Sequence, residues 1–275
     1  MKVQCEICPH HCKLEEGQVG FCHGRINHDN TIISKSYGKL TALALDPIEK
    51  KPLYHFYPGS RIMSIGSYGC NLRCPFCQNC DISMVNEAEA NVVKMQCEDI
   101  LEKAKFLKSA GNIGVAYTYN EPLIGYEFVR DLAILVKENN LKNVVVSNGY
   151  ICEEPLKKLL PFIDAFNIDL KGFTQRYYHK LKGDLATVMR SIEITSEVCH
   201  LEVTTLIVPG ENDSEEEMEQ LSAWLASIRP DIPLHISRFF PRWKMQDKEA
   251  TSIKKIYRLA EVARQHLKYV YEGNV

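Results

Sequence analysis

Ile62-Met63-Ser64-Ile65-Gly66 is followed closely by Gly69-Cys70-Asn71-Leu72-Arg73-Cys74-Pro75-Phe76-Cys77. The first run is short, apolar and rich in β-branched residues, the pattern of a buried strand. The loop beyond its C-terminal end carries three cysteines with three and two residues between them, so one tight loop can wrap a compact cluster. Iron-sulfur clusters are held by cysteine thiolates, one per iron, and three cysteines on a four-iron cluster leave one iron open. An open iron can bind a cofactor or substrate through nitrogen and oxygen donors, and an electron passed into a bound sulfonium would cleave a carbon-sulfur bond. A closed zinc site would need a fourth ligand, for which Cys80 is the nearest candidate.

Outward from this loop, strand patterns recur at Ile113 to Tyr119, Val144 to Ser147, Ala165 to Leu170, Leu201 to Val208 and Leu234 to Arg238. Helical stripes alternate with them, such as Phe128, Leu132 and Leu135, or Met218, Leu221 and Leu225, as parallel βαβ units require. Gly111 ends one helix pattern, and Ser214 with Glu217 reads as a capping box opening another. Ile253, Ile256, Tyr257, Ala260 and Leu267 mark the last helix, before an apolar run at Tyr269 to Tyr271. The fold class is α/β. Periodicity leaves open whether six parallel strands form a doubly wound sheet or a partial barrel, but both place functional residues beyond the C-terminal strand ends. Residues 1–60 lack the alternation and form a separate Cys-rich segment, leaving 61–275 as the core domain.

The 275 residues, 45% hydrophobic, suffice for a sizeable core. Lys+Arg of 33 against Asp+Glu of 35 gives a net charge of -2, which argues against a dedicated partner of nucleic acid or anionic membrane. No apolar run approaches the roughly 18 residues of a membrane span, and the polar start Met-Lys-Val-Gln-Cys-Glu does not read as a secretory signal. The expected location is the cytoplasm, where 11 cysteines point to metal or redox chemistry instead of disulfides. Cys5, Cys8, Cys12 and Cys22 form a cluster suited to a tetrahedral zinc or a second iron-sulfur cluster, and spacing does not choose between them. Cys97, Cys152 and Cys199 read as small buried hydrophobes.

Cys-x3-Cys-x2-Cys with an aromatic before the last cysteine resembles the radical S-adenosylmethionine (SAM) signature. That resemblance implies a [4Fe-4S] cluster on Cys70, Cys74 and Cys77, SAM chelating the open iron, and reductive cleavage to methionine and a 5'-deoxyadenosyl radical. It implies a partial (β/α)6 barrel and places Phe76 near the adenine. Tyr117-Thr118-Tyr119-Asn120-Glu121-Pro122 occupies the position of the family's Gly-Gly-Glu-Pro segment, which assigns Asn120 and Glu121 to the SAM amino group. Ser147-Asn148-Gly149 resembles a Thr-Asn-Gly motif that touches the cofactor. Asp169 and Lys171 share one strand face by alternation, and burying such a pair is costly unless it is paired or functional. The resemblance puts both at SAM and the reaction centre, Val208 near the adenine, and offers His235 and Arg238 to orient substrate or SAM.

With Cys5-x2-Cys8-Pro9-His10-x-Cys12, Gly20-x-Cys22, Asp46 to His55 and Cys77-Gln78-Asn79, almost the whole chain resembles the radical SAM proteins of the AmmeMemoRadiSam system, relatives of the pyruvate formate-lyase activating enzymes. Cys80 departs from the aromatic residue common in that family. Val146 stands where the activating enzymes commonly carry an aspartate of a cation site. The resemblance implies an anaerobic oxidoreductase or lyase with an electron donor such as flavodoxin or ferredoxin. Two functions follow: hydrogen abstraction from a small molecule, or activation of a partner enzyme by a glycyl radical. An iron-sulfur electron carrier is disfavoured, because it leaves Asn120, Glu121, Asp169 and Lys171 without a common purpose.

Overall fold

The computed structural model describes residues 2–275. The chain opens with two short antiparallel hairpins, β1 (Val3–Gln4) with β2 (Lys13–Leu14) and β3 (Arg25–His28) with β4 (Thr31–Ser34). β5 (Lys39–Leu40), β6 (Ala42–Pro47), β7 (Arg61–Gly66) and β8 (Val93–Lys94) follow, then β9 (Asn112–Tyr117), β10 (Lys142–Ser147), β11 (Ala165–Asp169), β12 (His200–Ile207), β13 (Leu234–Arg238) and β14 (Val270–Gly273). The six expected strands are present as β7 and β9 to β13. β14 adds a seventh parallel strand, and β6 pairs antiparallel with β7 at the other edge. A boundary between residues 60 and 61 therefore cuts through the β6–β7 pair.

The order β14-β13-β12-β11-β10-β9-β7-β6 follows the chain with no reversal. Doubly wound sheets reverse their order at a switch point. Here right-handed crossovers that always step the same way leave the helices on one face, and the sheet curls as a partial barrel. Principal helices are α2 (Cys97–Phe106), α3 (Tyr126–Glu138), α4 (Glu153–Leu159), α6 (Leu185–Ser196), α7 (Glu215–Ile228) and α8 (Ile253–Ala263), with short α1 (Cys80–Ser83) and α5 (Gln175–Lys180) among them. None is long and apolar enough to cross a membrane. Strand alternation divides the core in two. Met63, Val115, Val145, Phe166, Val203 and Ile236 face the helices in the larger cluster. Ile62, Ala116, Val144 and Ala165 face inward and pack on Ile48, Leu53 and Phe56.

Those three residues belong to the stretch between β6 and β7, which plugs the N-terminal end of the barrel. Its attachment is polar as well as apolar. Glu202 on β12, fully buried, accepts from the backbone N–H groups of Tyr54 (3.0 Å) and His55 (2.7 Å) and bonds the imidazoles of His200 (2.9 Å) and His235 (2.6 Å). Asn167 donates to the Pro52 carbonyl at 2.8 Å. Burial alone would raise the Glu202 pKa, but these donors outweigh it and hold the carboxyl at about 2. The capping expectation at α7 is half right: the Ser214 hydroxyl accepts from the Glu217 N–H, but the Glu217 carboxylate reaches the Phe173 N–H at 2.6 Å, bracing the loop after β11.

Replacing Glu202 by Leu leaves two part-buried backbone N–H groups and two imidazoles without their acceptor, and we expect a loss of about 3–5 kcal/mol, measured by urea unfolding of the full chain. The Glu202 pKa is depressed from 4.5 to about 2. Its contribution is therefore complete above the unfolded value and vanishes as pH falls through the folded one. The wild-type advantage over the variant should shrink across that acid range. An unchanged urea midpoint at neutral pH would show that the plug does not depend on this carboxylate.

Candidate active site

The C-terminal mouth of the barrel opens into a cavity of about 270 Å³, lined by Cys70, Cys74 and Cys77 on one side and by Glu121, Asp169 and Lys171 on the other. Phe76, Asn120, Ser147 and Asn148 also line it, so the structure brings ten of the sequence-predicted site residues together. No three cysteine sulfurs of the described residues lie within 4.8 Å of one another. Thiolates on a single tetrahedral zinc stand about 3.8 Å apart, whereas those capping separate corners of a four-iron cluster stand about 6 Å apart. The loop therefore fits a cluster better than a closed zinc site. Cys80 opens α1, outside the cavity lining, with its thiol 3.5 Å from the Asp81 carboxylate and near Arg242.

Burial pushes the Cys70 thiol well up and the Cys74 thiol to about 12, with Glu121 and the neighbouring cysteines adding to the effect. Thiols so placed ionise only against a strong positive charge, which iron supplies on binding. The protein adds some of its own. The Leu72 N–H donates to Cys70 Sγ (3.3 Å), Asn148 Nδ2 approaches the same sulfur (3.7 Å), and the Lys171 charge favours the thiolates of Cys74 and Cys77.

The loop is tethered by three carboxamides. Asn120 donates to the carbonyls of Tyr68 (3.2 Å) and Gly69 (3.1 Å) while its own oxygen accepts from the Ser67 N–H (2.9 Å). Asn71 donates to the Tyr150 carbonyl (2.7 Å) and accepts from Asn148 Nδ2 (2.9 Å). Asn120 and Asn148 thus hold the cysteine loop directly, a role that the expectation of cofactor contact did not include. Glu121 accepts from the Ser147 hydroxyl (2.8 Å), the Leu123 N–H (3.0 Å) and the Asn148 N–H (2.8 Å), tying the ends of β9 and β10 together. Burial outweighs these donors and raises its carboxyl to about 7. Lys171 Nζ pairs with Asp169 at 2.7 Å. Desolvation opposes the Lys171 charge, but Asp169 and Cys74 hold its pKa above the ordinary value.

Three expected residues lie elsewhere. His235 is 3% exposed and bonded to Glu202 under the cavity floor, so it secures the plug. Arg238 directs Nε to the Thr251 carbonyl and its guanidinium over the Phe240 ring (4.8 Å), outside the lining. Val208 is wholly buried, its N–H bonded to Asn212 Oδ1 (2.8 Å). The inward positions at the mouth are instead Thr204 and Leu206 on β12 and Ser237 on β13, with Asn274 after β14. Alternation along β13 was the available signal: Ser237 lies two residues beyond His235 on the same face. Tyr119 was also missed as a wall. It adopts a left-handed φ of 71°, and its hydroxyl donates to Asp46 (2.6 Å), which the buried Lys51 also grips at 2.8 Å.

Comparison with known proteins adds an independent line. A family model described as the radical SAM superfamily matches residues 64–222. An uncharacterized protein of Methanocaldococcus jannaschii, MJ0808, is 40% identical over the whole chain and 82% of its own length. The pyruvate formate-lyase 1-activating enzyme of Escherichia coli K12 is 24% identical over 60% of this chain and 68% of its own. Among solved structures, a domain of the pyruvate-formate lyase-activating enzyme from Bacteroides vulgatus matches with a TM-score of 0.51 at 17% identity, covering 58% of this chain and 99% of that one. Streptococcus suis SuiB bound to its precursor peptide SuiA matches with a TM-score of 0.59 at 16% identity, over 75% of this chain and 47% of that one. These structural likenesses concern the fold.

Asn120→Ala removes three tethers of the cysteine loop, and we expect a loss of about 2–3 kcal/mol in the metal-free protein, before any cofactor is added. After iron-sulfur reconstitution, the variant's visible absorption should bleach several-fold faster under EDTA than that of the wild type. If stability and bleaching rate both match the wild type, Asn120 does not hold the loop.

Proposed function

The chain belongs to the radical SAM superfamily, an enzyme family with a [4Fe-4S] cluster and SAM, and on that premise we propose that it abstracts hydrogen from a small-molecule substrate with Cys70, Cys74 and Cys77 as cluster ligands. The observation that carries this reading is the single cavity joining Cys70, Cys74 and Cys77 to the strand-end residues Glu121, Ser147, Asn148, Asp169 and Lys171. When bound, the cluster and SAM supply one-electron cleavage of a sulfonium carbon-sulfur bond, giving methionine and a 5'-deoxyadenosyl radical.

The protein's part is placement, charge and exclusion of water. Glu121, shifted upward by burial, favours a cation at its side, so an ammonium group in the cavity restores the carboxylate's charge. Asn120 and Asn148 fix the cysteine loop relative to that carboxylate. Phe76 stacks near Tyr177, with ring planes 19° apart, and offers an apolar face for a planar base. Lys171, held by Asp169, sets a fixed positive charge beside Cys74 and Cys77, favouring the anionic state of the cluster ligands and orienting an anionic group of SAM or substrate.

A small molecule is favoured over a partner protein by the rim. Asn79 donates to the Tyr119 carbonyl (2.6 Å), the Lys244 N–H to the Pro75 carbonyl (3.1 Å), Gln78 to the Phe240 carbonyl (3.3 Å), and Arg242 pairs with Asp81. These bridges link the cysteine loop to the segments on either side and narrow the approach that a glycine loop of a partner enzyme would use. An electron donor of the flavodoxin or ferredoxin class is the proposed partner.

Anaerobically reconstituted protein given SAM and dithionite should form 5'-deoxyadenosine, detected chromatographically. Cys74→Ala should reduce it to background, and Lys171→Met should lower its rate at least tenfold while leaving the iron content unchanged. Wild-type protein with a complete cluster that never cleaves SAM would refute the reading, and a fully active Cys74→Ala variant would refute the ligand assignment.

A further inference from the structure

The N-terminal cysteines lie outside the cavity described above and have no part in that chemistry. Cys5, Cys8, Cys12 and Cys22 nevertheless line one pocket of their own, closed by apolar side chains that include Ile7, Leu14 and Phe21. Three of the four are buried and none forms a disulfide. The hairpins that carry them are minimal: β1 and β2 pair over two residues each, too few for independent stability. The loops nonetheless turn back on themselves. Cys5 N–H bonds the Cys12 carbonyl (3.0 Å), and His11 and His23 adopt left-handed φ values of 41° and 64°. A bound group that draws four sulfurs together accounts for this arrangement.

Two observations favour a cluster over a single zinc. No three of these sulfurs lie within 4.8 Å of one another, which is too wide for one tetrahedral zinc, where they stand about 3.8 Å apart. The same wide placement is seen at Cys70, Cys74 and Cys77. Secondly, Arg25 lines the same pocket, 4% exposed, with its terminal nitrogens on Glu127 (2.7 and 2.8 Å) but its Nε buried without a partner. An unpartnered guanidinium N–H on the wall calls for an anionic acceptor, and the sulfurs of a cluster bearing four thiolates supply one. His10 is not a competing ligand through Nε2, because that nitrogen donates to the Asn71 carbonyl at 2.8 Å.

We propose that Cys5, Cys8, Cys12 and Cys22 hold a second [4Fe-4S] cluster, ligated by cysteine at every iron, which delivers electrons to the cluster of Cys70, Cys74 and Cys77. Full ligation leaves no iron open to SAM or substrate, so beyond fastening the short hairpins the role open to it is electron transfer. The two sites adjoin. A Cβ at Gly69, the residue before Cys70, would lie 2.3 Å from the Cys22 carbonyl oxygen. Arg73 donates to the Cys70 carbonyl (2.6 Å) and to the Phe21 carbonyl, and stacks on the Phe21 ring at 4.0 Å. Asn71 touches Cys8 on one side and Asn148 on the other, which in turn approaches Cys70 Sγ. In the transfer, a reduced one-electron carrier protein of the ferredoxin or flavodoxin class loses one electron. The N-terminal cluster gains and then passes on that electron, and no bond or proton changes there. This relay rests on the proposed SAM chemistry, whereas the cluster site itself does not.

The test is iron and acid-labile sulfide counting on the anaerobically reconstituted full chain, together with EPR. Wild type should hold about eight of each per chain. The combined Cys70→Ala, Cys74→Ala and Cys77→Ala variant should keep about four, with an EPR signal that ignores SAM. The combined Cys5→Ala, Cys8→Ala, Cys12→Ala and Cys22→Ala variant should keep about four and respond to SAM. With dithionite this second variant should cleave SAM at a rate within twofold of wild type; with a reduced carrier protein it should fall at least tenfold. Bound zinc, or no iron, in the first variant overturns the cluster assignment, and this count decides the matter even if the second variant fails to fold. An unchanged carrier-driven rate overturns the relay. Absence of SAM cleavage in wild type would sink the proposed function but leave the iron count of the first variant intact as evidence for the site.

Discussion

The structure depends on gathering three thiols around one cavity at the mouth of the barrel, one of them buried and two half-buried. Cys70, Cys74 and Cys77 repel one another once ionised, and burial resists ionisation in the first place. The protein meets this with neutral amide donors and one fixed cation. Asn120 binds the backbone leading into the loop, Asn71 ties the loop to the Tyr150 carbonyl, Asn148 leans on the sulfur of Cys70, and Lys171 faces Cys74 and Cys77. Hydrogen bonds of this kind are modest singly, but in a low-dielectric site they reinforce one another and fix one geometry. The loop can be presented in this way because it leaves the C-terminal end of a parallel strand, where neighbouring strand ends bring Glu121, Ser147, Asp169 and Ser237 to the same level.

That convergence requires a barrel open at one end and shut at the other. The strand order supplies the curvature, and the stretch from Asp46 to Phe56 supplies the closure. Ile48, Leu53 and Phe56 fill the bottom, Glu202 anchors the backbone at Tyr54 and His55, and Asp46 reaches up through Tyr119 to the wall of the cavity. The segment before the barrel is thereby joined to the site from two directions: from below through the plug, and from behind through the contacts of Cys22, Phe21 and His10 with the cysteine loop.

Much of this was legible in the sequence. Each parallel strand from β7 to β13 announced itself as a β-branched run, and the cysteine spacing with the strand-end motifs located the cavity lining. β6 escaped because Ala42-Leu43-Ala44-Leu45 lies in a segment without helical alternation, and pairing across an edge leaves little local trace. His235 misled for a related reason. A histidine near a strand end resembles a site residue, but whether it lies at the mouth or one layer below depends on register, and its partner Glu202 comes from the neighbouring strand. Val208 and Arg238 were displaced similarly, by where the strand leaves the barrel. The loop-holding role of Asn120 was hidden because its partners are backbone groups, which carry no sequence signature.

The central claim is that the loop of Cys70, Cys74 and Cys77 presents a cluster with one iron open to SAM, and EPR of the reduced protein titrated with SAM tests it most directly. The account predicts a reduced [4Fe-4S] signal whose g values shift on addition of SAM and which disappears from the spectrum of Cys74→Ala. A signal that SAM leaves unchanged in the wild type, with the cluster shown to be complete by iron and sulfide counts, would contradict it.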